Sequence, residues 1–256
     1  MRLLVSVASA SEARLALEGD ADIIDVKDPS RGSLGAAPPS VLREIAEVVG
    51  AARPISAALG DAADERAVET AARAAATNRL AYVKLGFAGV ADAARVESLI
   101  AAAVRGVRSV SASGGVVAVA YADAARVDSV SPERVIEAAE RARAMGVLLD
   151  TARKDGGSLF DLMDQVLVGR WVRLAHEAAL TVALAGSLTA ADLATARALG
   201  ADIAGVRGAA CEGGRTGHIS REKVAALARA NRPTSWTRPF AWGDQERSAE
   251  QPGSAL

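Results

Sequence analysis

Aromatic residues make up only 3% of this 256-residue chain, cysteine occurs once and histidine twice. With so few rings, the core must be built from Val, Leu, Ile and Ala within a hydrophobic fraction of 50%. The single cysteine, Cys211, excludes an internal disulfide and fits a reducing compartment. Two histidines, one cysteine and no HxH or CxxC pairing give no reason to expect a protein metal site, and no cofactor is expected. Charge of one sign is lacking too: the net charge is −1 and no basic stripe runs along the chain, which argues against a nucleic-acid partner. No run reaches the ~18 apolar residues of a membrane span. The opening MRLLVSVASASEA looks superficially like a signal peptide. Its apolar stretch LLVSVA falls short of the ~7–15 residues such a peptide needs, so it reads as a first strand and the cytoplasm is the expected location.

Lysine is the scarcity with chemical meaning. Of 30 Lys plus Arg residues only four are lysine, and three of those sit where strands are expected to end: Lys27 closes IIDVK, Lys84 sits in YVKLG and Lys154 follows LLDTAR. Arginine stays protonated at neutral pH, whereas lysine can lose its proton and form an imine when burial or a neighbouring cation lowers its pKa. A chain that writes arginine nearly everywhere keeps lysine where an amine is needed. The fourth lysine, Lys223, sits in the helical pattern SREKVAALARA and reads as ordinary surface.

Short apolar runs alternate with longer Ala-, Glu- and Arg-rich helical stretches, the pattern of βαβ units and a parallel sheet. The runs are Leu3–Val7, Asp22–Lys27, Pro54–Leu59, Ala81–Phe87, Val116–Tyr121, Val147–Thr151, Thr181–Ala185 and Asp202–Arg207. Ser131-Pro132-Glu133 opens a helix well, with Gly146 at its far end, and Gly19 and Gly200 follow helices just before new strands. Eight strands in about 230 residues match a (β/α)₈ TIM barrel, expected over residues 1–231. A doubly wound open sheet is the alternative, weakened by the lack of a GxGxxG after the first strand. From 232 to 256 the chain turns Pro-rich and aperiodic, which reads as an irregular or partly disordered tail. Trp236 and Trp242 within it hint at a segment that packs.

In such a barrel the active site lies at the carboxyl ends of the strands. Side chains alternate along a strand, so Asp25 and Lys27 share a face, as do Tyr82 and Lys84. Asp123 follows strand five, Asp150 ends strand six, and Lys154 and Asp155 follow in the next loop. Crowded amines depress one another's pKa, which makes Lys27 and Lys84 a candidate nucleophile–base pair. The competing reading pairs each lysine with an aspartate in a purely structural network. The loops after strands seven and eight, where such barrels commonly hold phosphate, contain Gly186-Ser187 and Arg207-Gly208. Arg207 is the candidate bidentate ligand there. Gly32-Ser33, in the turn after Lys27, is a candidate second anion site. His176, His218 and Cys211 carry no comparable signal.

The motifs IIDVKDPSRGSLGA, YVKLGFAG, AYADAARV, LLDTARKDGGSLFD, ALAGSL and GVRGAACEGG resemble, in order over about residues 1–230, those of the (5-formylfuran-3-yl)methyl phosphate synthase family. The resemblance implies a class I aldolase-like barrel in methanofuran-type one-carbon cofactor biosynthesis. It implies that two molecules of glyceraldehyde 3-phosphate condense to 4-(hydroxymethyl)-2-furancarboxaldehyde phosphate, with release of phosphate and water. By motif, Lys27 would be the Schiff-base lysine and Lys84 the proton acceptor, with Asp25, Asp150 and Lys154 in support. The expected partner is a small phosphotriose, in a homo-oligomer. Another Schiff-base phosphotriose aldolase, and a non-catalytic phosphosugar-binding barrel, remain alternatives.

Overall fold

The computed structural model describes residues 1–62, 64–155 and 157–232. The expected tail, with Trp236 and Trp242, lies outside the described residues apart from Arg232. Eight parallel strands close into a barrel in sequential order: β1 (Arg2–Val7), β2 (Ile23–Val26), β3 (Ile55–Asp61), β4 (Tyr82–Gly86), β5 (Gly115–Tyr121), β6 (Gly146–Asp150), β7 (Thr181–Leu184) and β8 (Ile203–Val206). Each overlaps an expected apolar run, and β1 pairs with β8 to complete the closure. The open-sheet alternative is thereby excluded.

Helices α1 (Ala10–Glu18), α2 (Pro39–Val49), α3 (Glu65–Ala76), α4 (Ala93–Arg108), α5 (Pro132–Arg141), α6 (Leu159–Leu162), α7 (Gln165–Glu177), α8 (Ala190–Ala198) and α9 (Arg221–Asn231) wrap the outside. Short polar side chains start them, because the first turn leaves amides unpaired. Ser9, Asp64, Asp92, Ser131, Asp164 and Ser220 each accept from such an amide. Gly19 ends α1 as expected, but α5 stops at Arg141 rather than running to Gly146, which is the first residue of β6.

Strand alternation sorts the core into two parts. Outward-facing residues such as Val5, Ile24, Val83, Ala118 and Leu149 pack beneath the helices together with Phe87 and Trp171, the latter donating its indole N–H to the Pro132 carbonyl at 3.0 Å. Inward-facing Leu4, Ile23, Tyr82, Val117, Leu148, Ala183 and Ile203 fill the barrel itself. A small antiparallel hairpin, β9 (Cys211–Glu212) with β10 (His218–Ile219), is inserted between β8 and α9. Among the described residues no helix is long and apolar enough to cross a membrane.

Candidate active site

Register places the first carboxylate. Ser6, Asp25 and Ser56 are successive cross-strand partners on β1, β2 and β3, so all three sit at one level. Asp25, fully buried, accepts from Ser6 Oγ at 2.8 Å, Ser56 Oγ at 2.7 Å and Lys84 Nζ at 2.7 Å. Burial alone would raise its pKa. The charges of Lys84 and Lys27, with the hydrogen bonds, reverse that and hold the carboxyl below its ordinary range. A serine in each of two otherwise apolar strands, LLVSV and PISAAL, was the available sign of this cradle, and sequence reasoning passed over both.

A second pair forms one strand pair away. Asp150, the last residue of β6, accepts from Lys154 Nζ at 2.7 Å and from the Thr151 amide at 2.7 Å. Lys154 also donates to the Thr151 carbonyl at 2.6 Å and its hydroxyl at 3.0 Å, so its three N–H groups all have partners. Burial again opposes ionisation of Asp150, and the Lys154 and Lys27 charges overcome it, lowering the pKa.

Lys27 stands between these pairs and belongs to neither. It follows β2 immediately, its side chain is on the same face as Asp25, and it is 8% exposed. Among the described residues its Nζ donates to a single neutral acceptor, the Ser33 carbonyl, at 3.2 Å. Burial first, then the Lys84 charge, pulls its pKa from 10.5 down to about 7, against the opposing pull of Asp150 and Asp25. The lysine–aspartate pairs of the competing, structural reading are therefore present for Lys84 and Lys154, whereas Lys27 has no such pair among the described residues.

All three lysines open onto one cavity of about 360 Å³ that runs from the strand ends into the barrel. Gly186, Ser187, Arg207 and Gly208 also line it. Gly186 and Ser187 both adopt positive φ, 102° and 52°, which turns the chain sharply after β7. The amides of Gly186, Ser187, Gly208 and Ala209 donate to no described residue, which suits them to an anion.

Several expectations need correction. Arg207 is not a free anion ligand: Nε donates to the Arg215 carbonyl, Nη1 to the Ser6 carbonyl and Glu12, and Nη2 to Glu12 and the Gly217 carbonyl. Those five bonds use its five N–H groups in a buried ion pair with Glu12. The Gly32-Ser33 turn offers the wrong polarity for an anion, since its carbonyls face cations: Gly32 accepts from Arg215 and Ser33 from Lys27. Asp123 accepts from the Ala152 and Arg153 amides at 2.7 and 2.9 Å and shapes the loop after β6, while Asp155 pairs with Arg126 and Arg153 at the surface. Lys223 lies at the surface away from the cavity, as read from the sequence, but it also ties the hairpin to α9 through the Cys211 carbonyl at 2.7 Å and Glu212 at 3.0 Å. Cys211 is buried and its thiol pKa is raised by that burial. His176 bonds Asp202 on the far side of the barrel, at the start of β8.

Sequence reasoning also missed the pair Tyr121–Asp61, at 2.6 Å on the rim beside the turn that carries Ser33. It depends on Gly86 between them, where a Cβ would lie 2.3 Å from the tyrosine hydroxyl and 2.4 Å from the carboxylate. Among the described residues no group of three His, Cys, Asp or Glu side chains is placed to hold a metal ion.

A closed parallel barrel with amines and carboxylates converging at the carboxyl ends of its strands has the layout of a (β/α)₈ enzyme. Among solved structures it is similar to phosphoribosyl anthranilate isomerase from Thermus thermophilus, with a TM-score of 0.60 at 18% identity over 90% of this chain and 98% of that one. It is likewise similar to a 3-hexulose-6-phosphate synthase, with a TM-score of 0.59 at 19% identity over 89% and 99%. At such identities the likeness concerns the fold. Residues 3–228 match the family model for 4-HFC-P synthase. The chain is 46% identical over 234 residues to (5-formylfuran-3-yl)methyl phosphate synthase of Methanopyrus kandleri, covering 89% of this chain and 99% of the relative. It is 43% identical over 232 residues to that of Archaeoglobus fulgidus, covering 90% and 99%. The chain belongs to the (5-formylfuran-3-yl)methyl phosphate synthase family, a family of enzymes, and so fits methanofuran biosynthesis.

Proposed function

We propose that this protein condenses two molecules of glyceraldehyde 3-phosphate into 4-(hydroxymethyl)-2-furancarboxaldehyde phosphate through an imine on Lys27. The observation that carries the proposal is the state of Lys27: a buried amine at a cavity, with a single carbonyl partner and a pKa near 7. Such an amine is substantially neutral at physiological pH and can attack a carbonyl. Atom balance requires one phosphate and two waters to leave for each furan formed.

The two ion pairs supply the proton traffic. Imine formation expels the carbonyl oxygen as water, which needs a proton donor, and makes the neighbouring C–H acidic, which needs an acceptor. Held against Asp25 at 2.7 Å, Lys84 gives a proton to the departing water. Once neutral, it serves as the base. Asp25 cannot leave this exchange, because two serine hydroxyls fix it in place. Lys154 and Asp150 face Lys27 from the other side and stabilise charge that develops there. The unspent amides of Gly186, Ser187, Gly208 and Ala209 are suited to a substrate phosphate.

Incubation with glyceraldehyde 3-phosphate should yield an ultraviolet-absorbing furan aldehyde and inorganic phosphate in equal amounts. Borohydride added during turnover should leave a reduced adduct at Lys27 by peptide mass. Phosphate release without furan would point instead to another Schiff-base reaction on the same lysine. A protein with no adduct at Lys27 would lose the mechanism altogether. The protein is expected to work in the cytoplasm as a homo-oligomer, which sedimentation can check.

A further inference from the structure

With Arg207 fully engaged, the mouth has lost the cation expected to receive phosphate. Its five bonds have another effect. Through the carbonyls of Arg215, at 2.8 Å, and Gly217, at 3.1 Å, Arg207 fastens the β9–β10 turn to the barrel. Lys223 fastens the base of the same hairpin at the Cys211 carbonyl. The residue so positioned is Arg215, which lines the cavity.

Arg215 reaches from the hairpin to the turn after β2. Nη1 donates to the Pro29 carbonyl at 2.7 Å and Nη2 to the Gly32 carbonyl. These bonds use two of five N–H groups and aim the planar head without neutralising it. No carboxylate of the described residues lies within ion-pair distance of Arg215, in contrast to Arg207 with Glu12. The head is partly withdrawn from water, and burial lowers its pKa. A guanidinium that is half-buried, held by two carbonyls and reached by the Asp150 charge only from beyond ion-pair distance costs free energy that an anion would recover. Gly208, whose amide is unspent, lies against the Arg215 backbone: a Cβ on it would sit 3.7 Å from the Arg215 nitrogen.

We propose that Arg215 binds a phosphate group of the substrate, and that the Arg207–Glu12 pair is a positioning clasp that holds the Arg215 loop in place. The assignment rests on the phosphotriose reading for the identity of the substrate but not for the presence of an anion site. Arginine suits the task because its remaining N–H groups can meet two phosphate oxygens at once.

The test uses inorganic phosphate as the probe, with calorimetric titration of the wild type, Arg215→Gln and Arg215→Lys. Loss of a charge-assisted bond of this kind should weaken phosphate binding about tenfold or more in Arg215→Gln, with part of the affinity kept in Arg215→Lys. In parallel, borohydride trapping at Lys27 compares glyceraldehyde 3-phosphate with unphosphorylated glyceraldehyde. The preference for the phosphorylated triose should fall about tenfold in Arg215→Gln. Equal phosphate affinity in wild type and Arg215→Gln overturns the proposal, as does a wild type that binds no phosphate. If Arg215→Gln fails to fold, Arg215→Lys carries the comparison, and unchanged affinity and preference in it overturn the proposal. Phosphate binding that depends on Arg215, in a protein that forms neither adduct nor furan, would refute the reaction while keeping this assignment.

Discussion

Two arcs of the barrel wall line the same cavity and are built on opposite terms. The even strands β2, β4 and β6 carry or lead into Asp25, Lys27, Lys84, Asp150 and Lys154. Strands β7 and β8 present Ala183, Gly205 and, just beyond β7, Ala185. The charged arc holds its groups by mutual neutralisation, two ammonium–carboxylate pairs at 2.7 Å each. Strands β7 and β8 carry no ionisable side chain, and their small residues leave room beside Ile203. Either alone would be inert: charges without space would pair off completely, and space without charges would be a void. Lys27 is the residue that makes the combination reactive, since it faces the space without a carboxylate of its own.

The severest way to break the comparison is to replace the unpaired amine. Lys27→Arg keeps a cation in the charged arc but no nucleophile, so furan formation should fall by at least about 10³-fold with no borohydride adduct. Measurable turnover at a tenth of the wild-type rate would place the imine elsewhere. The next largest effect should come from a paired lysine. Lys84→Arg preserves the charge beside Asp25 while removing the mobile proton, and kcat should drop about 10²–10³-fold with adduct still trapped at Lys27. Normal turnover would mean that some other group moves the proton.

The charged arc was legible in the sequence and its wiring only partly so. Period-two alternation put Asp25 and Lys27 on one face, which follows from local chain geometry, and the rarity of lysine marked the amines of the cavity, although Lys84 lies in the middle of β4 rather than at its end. The engagement of Arg207 was not legible, because its partner Glu12 lies 195 positions away in the first helix and meets it only when β1 and β8 close the barrel. Nothing local separates Arg207 from Arg215, although one is saturated by the protein and the other is not. The turn after β2 misled for a related reason. Glycine predicts that a backbone comes close but not which polar group it presents, and at Gly32 and Ser33 the carbonyls are the groups presented. The small-residue arc was invisible because alanine and glycine are common throughout the chain, and only the register shows which of them face inward.

Filling that arc sharpens the comparison at lower cost to activity. Ala183→Leu adds bulk to the cavity wall without touching an ionisable group. KM for glyceraldehyde 3-phosphate should rise by about tenfold, the order expected when a few methyl-sized groups of space are lost. The rate of adduct formation with formaldehyde, which needs little room, should change far less. Equal losses for both aldehydes would show that the substitution had disturbed Lys27 rather than the space.

The smallest effect tests the charged arc without any substrate. Lys27 protonates near pH 7 in the folded protein and near 10.5 when unfolded. Between those values the unfolded chain binds more protons, so the free energy of unfolding should rise with pH across that window. Below it, both states hold the proton and the folded state bears the full cost of a buried, unpaired ammonium. Lys27→Met removes this dependence while roughly conserving side-chain volume. Its thermal midpoint should therefore exceed the wild type's by a few degrees below about pH 7, where the difference is largest. The gap should shrink steadily toward pH 10.5 as the wild-type amine loses its charge in both states. A gap that stays constant with pH would mean that Lys27 is as easily charged inside the barrel as in water. The contrast between the paired lysines and the unpaired one would then lose its energetic basis, however well the distances describe it.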